Sequence, residues 1–115
     1  MDFDEAMAAH SEWRMKLANY IRKPDKSLSA SIVSKDNQCA LGKWLYAEGQ
    51  RHGVLPEYTQ LVEAHKRFHA AAGIIIARAD KGENVTEEVT LGAVSDYSRA
   101  SVAVAMAIMG MKRKV

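Results

Sequence analysis

The sequence has one cysteine and two prolines among 115 residues, and each scarcity excludes something. A lone cysteine cannot close an internal disulfide, so the fold has to stand without one and suits a reducing compartment. Two prolines, at 24 and 56, leave long stretches uninterrupted for helix. No stretch near the start joins a basic residue, an apolar run and a small-residue cleavage site, so a cytoplasmic location is expected. The longest near-continuous apolar run, Ala100 to Met111, falls well short of the ~20 residues that cross a bilayer, and no membrane span is expected. Clusters of β-branched residues and period-two alternation are missing, which removes the signals of a sheet. Neither sign of charge dominates: 16 basic residues against 14 acidic leave a formal +2. With that charge dispersed, no nucleic-acid partner is expected. The one dense basic cluster, Lys112-Arg113-Lys114, reads as a solvated helix end.

What the chain does have is apolar residues, 48% of the total, enough for one core. Residues 1–115 therefore read as a single domain. Phe3, Met7, Ala8, Trp13, Leu17, Tyr20 and Ile21 keep mostly helical spacing and predict a first helix from Phe3 to about Arg22, stopped by Pro24. Residues 25–35, rich in serine and lysine, read as a connection with Leu28, Ile32 and Val33 as anchors. Ser34, Asp36 and Asn37 are candidate caps for a short helix carrying Cys39, Leu41, Trp44 and Leu45 and ending near Gly49. Pro56 suits the first position of a third helix, whose apolar spacing runs from Leu61 through Ile76 towards Gly82. Thr86 is a candidate cap for a fourth, with Glu87 and Glu88 in its first turn and basic residues in its last. The expected fold is all-α, a four-helix-bundle-like domain of three long helices and one short cysteine-bearing helix.

The last helix carries Val102, Val104, Ala105, Met106, Ile108, Met109 and Met111 around nearly its whole circumference. One core cannot bury all of those faces. Either the helix lies in the middle of the bundle, or its outer side meets a second copy of the chain; a homodimer is the favoured expectation.

Three sequence features carry chemistry. His65 and His69 are four apart on the third helix, so both imidazoles leave one face a turn apart and can reach a common ion. Alone, such a pair arises readily by chance. Cys39 stands where a helix begins, and free N–H groups with the positive end of the dipole favour a thiolate there, although a lone cysteine is commonly a small buried hydrophobe. Gly42, lacking a Cβ, would allow a neighbouring helix close beside the cysteine. His10 lies between Met7 and Trp13 on the inward face of the first helix, where a hydrogen-bonded core histidine is the plainer reading. In combination, three helices can bring three nitrogens and one sulfur to one interior point, a donor set that selects zinc over magnesium or calcium.

These residues fall in motifs that resemble the chemoreceptor zinc-binding domain family, often called CZB. The resemblance is carried by HSEWRMKL from His10 to Leu17, CALGKWL from Cys39 to Leu45 and HKRFH from His65 to His69. The 28 residues between His10 and Cys39 and the 25 between Cys39 and His65 look like the family's spacing, as does EGQRHGVLPEYTQLVEAH leading into the last motif. The resemblance covers most of residues 5 to 80, with the final helix similar only as a helix. It implies His10, Cys39, His65 and His69 as the ligands of one Zn2+. His52 matches no ligand position and reads as a loop histidine. The family's domains usually sit at an end of a chemoreceptor or a diguanylate cyclase, which implies a signalling partner or a fused output domain; none is read within residues 1–115, which fit a stand-alone member or an excised piece alike.

Four protein ligands leave zinc no open position, which speaks against a hydrolase and predicts no enzyme activity. The expected function is that of a zinc-binding sensory or regulatory domain of bacterial signalling, responding to zinc itself or to oxidation of the zinc-bound cysteine, for example by hypochlorous acid. Three alternatives stay open. Zinc could only staple the fold; a haemerythrin-like di-iron carrier would need bridging carboxylates; a cysteine enzyme would use Cys39 as nucleophile with a histidine base.

Overall fold

In a computed structural model, which describes residues 2–89 and 95–115, all regular structure among the described residues is helical. Helix α1 (Phe3–Arg22) starts where the Asp2 carboxylate accepts the Glu5 N–H at 2.7 Å, satisfying an otherwise free donor. It ends at Arg22, two residues before Pro24, whose ring disfavours helix in the residue preceding it. Its buried positions, Ala6, His10, Leu17 and Tyr20, recur at three-, four- and seven-residue steps on one face. Phe3, Met7 and Trp13 flank that face half-buried, while Ala8 is exposed.

The serine-rich connection contains a short helix, α2 (Ala30–Val33), that the sequence reading leaves as loop. α2 lies across the long helix α4 (Pro56–Asp80). Gly73 makes this crossing possible: a Cβ there would come within 2.7 Å of the Ser34 Cβ and 3.0 Å of the Ala30 carbonyl oxygen. α3 (Ala40–Leu45) is the short cysteine-bearing helix, followed by a 3-10 turn from Glu48 to His52. Pro56 takes the first position of α4 as expected, and the Gly82 and Glu83 N–H groups return to the Ala79 and Arg78 carbonyls to close its end.

The last helix differs in its start. Thr86 to Val89 form a 3-10 turn, and α5 (Asp96–Lys114) begins ten residues after Thr86, capped by the Ser95 hydroxyl oxygen, which accepts the Ser98 N–H at 3.1 Å. Tertiary contacts fix residues 85–89 as a turn. Val85 is buried, the Glu88 carboxylate takes both oxygens to Arg78 at 2.5 and 2.7 Å, and the Glu88 carbonyl accepts the Ser95 hydroxyl at 2.6 Å. A capping propensity of about 1 kcal/mol is outweighed by such a set.

α4 and α5 share the most extensive helix contact, and α1 packs against both. Leu17, Leu45, Leu61, Phe68, Ile76, Tyr97, Val104, Ile108 and Met111 fill the space between the helices. On α5 the apolar circumference divides: Val104, Ile108 and Met111 are buried, whereas Val102, Met106 and Met109 are 54%, 66% and 49% exposed. No helix of the described residues is long and apolar enough to cross a membrane.

Candidate metal centre

The residues that could hold a metal come from α1, the start of α3 and the middle of α4. Cys39 is the N-cap of α3. Ser34, Asp36 and Asn37 do not cap that helix; the thiol does so itself, its Sγ accepting the Gly42 N–H at 3.4 Å. The absence of a Cβ at Gly42 has a different beneficiary from a neighbouring helix. The Asp36 carbonyl oxygen would lie 1.7 Å from a Cβ there, so Gly42 lets the chain entering α3 fold back tightly over the helix and deliver Cys39 to the interior.

His65 and His69, both buried, point from α4 to the same place. The Cys39 Sγ is 3.2 Å from His65 Nε2 and 3.5 Å from His69 Nε2, and the two nitrogens are 3.0 Å apart. Among the described residues, these three present a metal-type cluster with ligand atoms all within 4.8 Å of one another. A tetrahedral zinc with the usual bond lengths sets its ligands ~3.3 Å apart for two nitrogens and ~3.6 Å for nitrogen and sulfur. The observed triangle is a few tenths of an ångström smaller, so the residues present fit the ion with slight expansion.

Hydrogen bonding prepares the cluster. The Val33 carbonyl can only accept, so His69 Nδ1 carries the proton and donates at 2.9 Å, which leaves the His69 lone pair on Nε2, facing the cluster. A ligand histidine is commonly oriented by such a bond from its other nitrogen. His65 Nδ1 is buried and without a hydrogen-bond partner. Trp13 stands edge-on to His69 at 5.8 Å between ring centroids, and Phe68 edge-on to it at 5.4 Å, walling the imidazole in place.

Burial dominates the electrostatics. It holds His65 down at about 3, assisted by the neighbouring His69, and lowers His69 as well. Both imidazoles are therefore neutral near pH 7, the form that binds metal. The same burial pushes the Cys39 thiol up, against the backbone N–H groups of Gly42 and Leu41. The helix-start position is as expected from sequence, but its bias towards thiolate is outweighed by desolvation. A cation beside the sulfur is what would reverse that balance.

His10 stands outside the triangle. Its Nε2 lies 2.9 Å from the Ser101 hydroxyl on α5, and its ring packs against Phe68 at 4.6 Å. It nevertheless lines the same cavity of about 240 Å³ as Cys39, His65 and His69, together with Trp13 and Phe68. Burial and the nearby Arg14 charge hold it neutral, at about 4. His52 sits at the end of the 3-10 turn, against Trp44, away from the cluster. Two roles carry no signal in the sequence, that of Asp36, expected only as a cap, and that of Ser101. Asp36, gripped by the Tyr46 hydroxyl, acts electrostatically on Cys39, His65 and His69. Ser101 is 91 positions from His10, and a lone serine on an apolar helix carries no signal.

A helical domain with a thiol and two imidazoles converging in one half-open cavity has the makings of a zinc-binding helical domain. Residues 10–76, more than half of the chain, match the chemoreceptor zinc-binding domain, and the chain belongs to that family. It is thus a zinc-binding signalling domain, its cofactor is Zn2+, and the family's role is regulatory rather than catalytic. No curated protein and no solved structure gives a significant match.

Proposed function

We propose that residues 1–115 form one sensory domain in which His10, Cys39, His65 and His69 together bind a single zinc, and in which oxidation of Cys39 or loss of the metal is the signal. The observation that carries this reading is the meeting of one sulfur and two Nε2 atoms at 3.0–3.5 Å in a cavity that His10 also lines. Zinc, when bound, supplies a positive charge that holds Cys39 as thiolate. The four side chains come from α1, α3 and α4, so their common ligation joins elements far apart in sequence, and its loss loosens the start of α3 first, where Cys39 is the cap.

Cys39 is also the oxidisable ligand. Attack of its thiolate on hypochlorous acid forms an S–O bond and breaks O–Cl, giving sulfenic acid and chloride; sulfur loses two electrons and chlorine gains them. A sulfenic acid binds zinc less well than a thiolate, so oxidant exposure is converted to metal release. The listener is a signalling partner or a fused output module of chemoreceptor or diguanylate cyclase type in the reducing cytoplasm. A homodimer formed through the exposed Val102, Met106 and Met109 side of α5 provides the route outward.

Native mass spectrometry before and after hypochlorous acid treatment tests the reading, because it reports zinc, cysteine oxidation and oligomer mass together. The expected result is one zinc per chain, lost as Cys39 gains oxygen. Cys39→Ala should keep weakly bound zinc on the histidines and release none of it in response to the oxidant. Oxidant-driven release that persists in Cys39→Ala would place the sensor elsewhere. Zinc loss with no change in helix content, stability or oligomer mass would reduce the metal to a staple.

A further inference from the structure

The arrangement around His10 differs from that of the other three candidate ligands. Where His65, His69 and Cys39 face one another, His10 Nε2 is engaged with Ser101 on α5. Ser101 is 1% exposed and is held on its other side by Arg14 of α1, whose NH1 donates to the same hydroxyl oxygen at 2.9 Å. Arg14 in turn lies over the Tyr97 ring at 5.8 Å. The Ser101 hydroxyl is thus fixed by a neighbour on each side, and it gives His10 a well-defined place outside the cluster but inside its cavity.

We infer that His10 has two alternative partners, the Ser101 hydroxyl and the metal, so that zinc occupancy is reported to α5 by making or breaking the His10–Ser101 hydrogen bond. This rests on the proposed reading of His10 as the fourth ligand. The distances call for His10 to move: completing a tetrahedron with the Cys39–His65–His69 triangle needs a nitrogen ~3.3–3.6 Å from each of those atoms, and a nitrogen so placed would belong to the same 4.8 Å cluster, from which His10 is absent. His10 therefore has to move, and the contact at stake in moving Nε2 is the one with Ser101. Ser101 is a positioning residue, acting on the metal only through His10. Its helix carries the exposed Met106 and Met109 one and two turns further on, so a change at Ser101 lies next to the surface proposed to face outward.

The sign of one substitution separates this from a merely supportive role. Ser101→Ala leaves a good helix former in place, so the domain should still fold. It removes a bond present only in the zinc-free state, while the loss of the Arg14 contact weighs on both states alike. Zinc affinity of the 115-residue chain, measured by competition with a chromophoric chelator, is expected to rise about three- to tenfold, the worth of one buried hydrogen bond. In a His10→Ala background the same Ser101→Ala change is expected to have no effect on affinity. Unchanged or weakened zinc binding in Ser101→Ala, with His10→Ala weakened at least tenfold, would overturn the exchange and leave His10 a ligand. Unchanged binding in His10→Ala would remove His10 from the zinc shell, and this inference with it.

Discussion

At the scale of single residues, the site is governed by burial of groups that would rather be solvated if charged. His65 is held at about 3 and His10 at about 4, and His69 is lowered too, in each case chiefly by burial. In the unfolded chain the same imidazoles titrate near 6.5. Between about pH 6.5 and pH 3 the unfolded state therefore binds more protons, so stability rises with pH across that window, is complete above it and is lost as pH falls. The melting temperature of the zinc-free protein, followed by circular dichroism, is expected to be flat from pH 7 to 8 and to drop by about 10 °C by pH 5. An unchanged melting temperature at pH 5 would mean that the histidines are not buried as neutral groups. The meeting of Cys39, His65 and His69 was legible in the sequence chiefly through the motifs that resemble the family, with the four-residue step putting the two histidines on one helix face; His10, expected with them, stands outside the triangle. The state of the thiol was not legible, since it depends on how deep the sulfur sits once Gly42 allows the Asp36 carbonyl to close over α3. Ser101 was invisible for a related reason: its partner lies across the bundle, and no local pattern encodes that contact.

At the scale of elements, the short helix α2 is as important to the site as the long helices. It lies over Gly73, one turn beyond His69 on the same face of α4, and this brings the Val33 carbonyl to His69 Nδ1. Gly73→Ala would place a methyl 2.7 Å from the Ser34 Cβ and force α2 outward. The expected cost is about 1–3 kcal/mol of stability, as for overpacking elsewhere. Loss of an orienting partner should also weaken zinc binding about tenfold or more. Chemical denaturation and chelator competition on that variant would measure both, and a stable variant with normal zinc affinity would show that α2 does not set the histidine. The long helices α1 and α4 were readable from apolar spacing and from their prolines, Pro24 and Pro56. The short helix was not, because four residues carry too little periodicity, and α2 owes its form to docking on α4. Capping propensity puts the start of the last helix at Thr86, whereas α5 starts at Asp96, because the Arg78–Glu88 pairing and the burial of Val85 decide the backbone there.

At the scale of the whole molecule, the described helices divide the labour. α4 supplies His65, His69 and the widest packing surface, α1 and the start of α3 bring His10 and Cys39 to it, and α5 backs the cavity from the side that Ser101 faces. The Lys112–Asp4 pair at 2.6 Å ties the last turn of α5 to the first of α1, though a pair so exposed adds little stability. The all-helical architecture followed from composition and spacing, since an apolar chain without sheet signals has few other ways to bury its surface. The split of α5 into a buried and an exposed side became visible only with α1 and α4 placed against it.

On the proposed reading, this chain holds one zinc through one sulfur and three nitrogens. X-ray absorption at the zinc edge on the purified, zinc-loaded protein reads that donor set from the metal itself. The expected spectrum is that of a four-coordinate ion with one Zn–S distance of ~2.3 Å and three Zn–N distances of ~2.0–2.1 Å at one metal per chain. The sulfur contribution should disappear in Cys39→Ala. A shell of oxygens, or a shell without sulfur in the unaltered chain, would rule out this donor set.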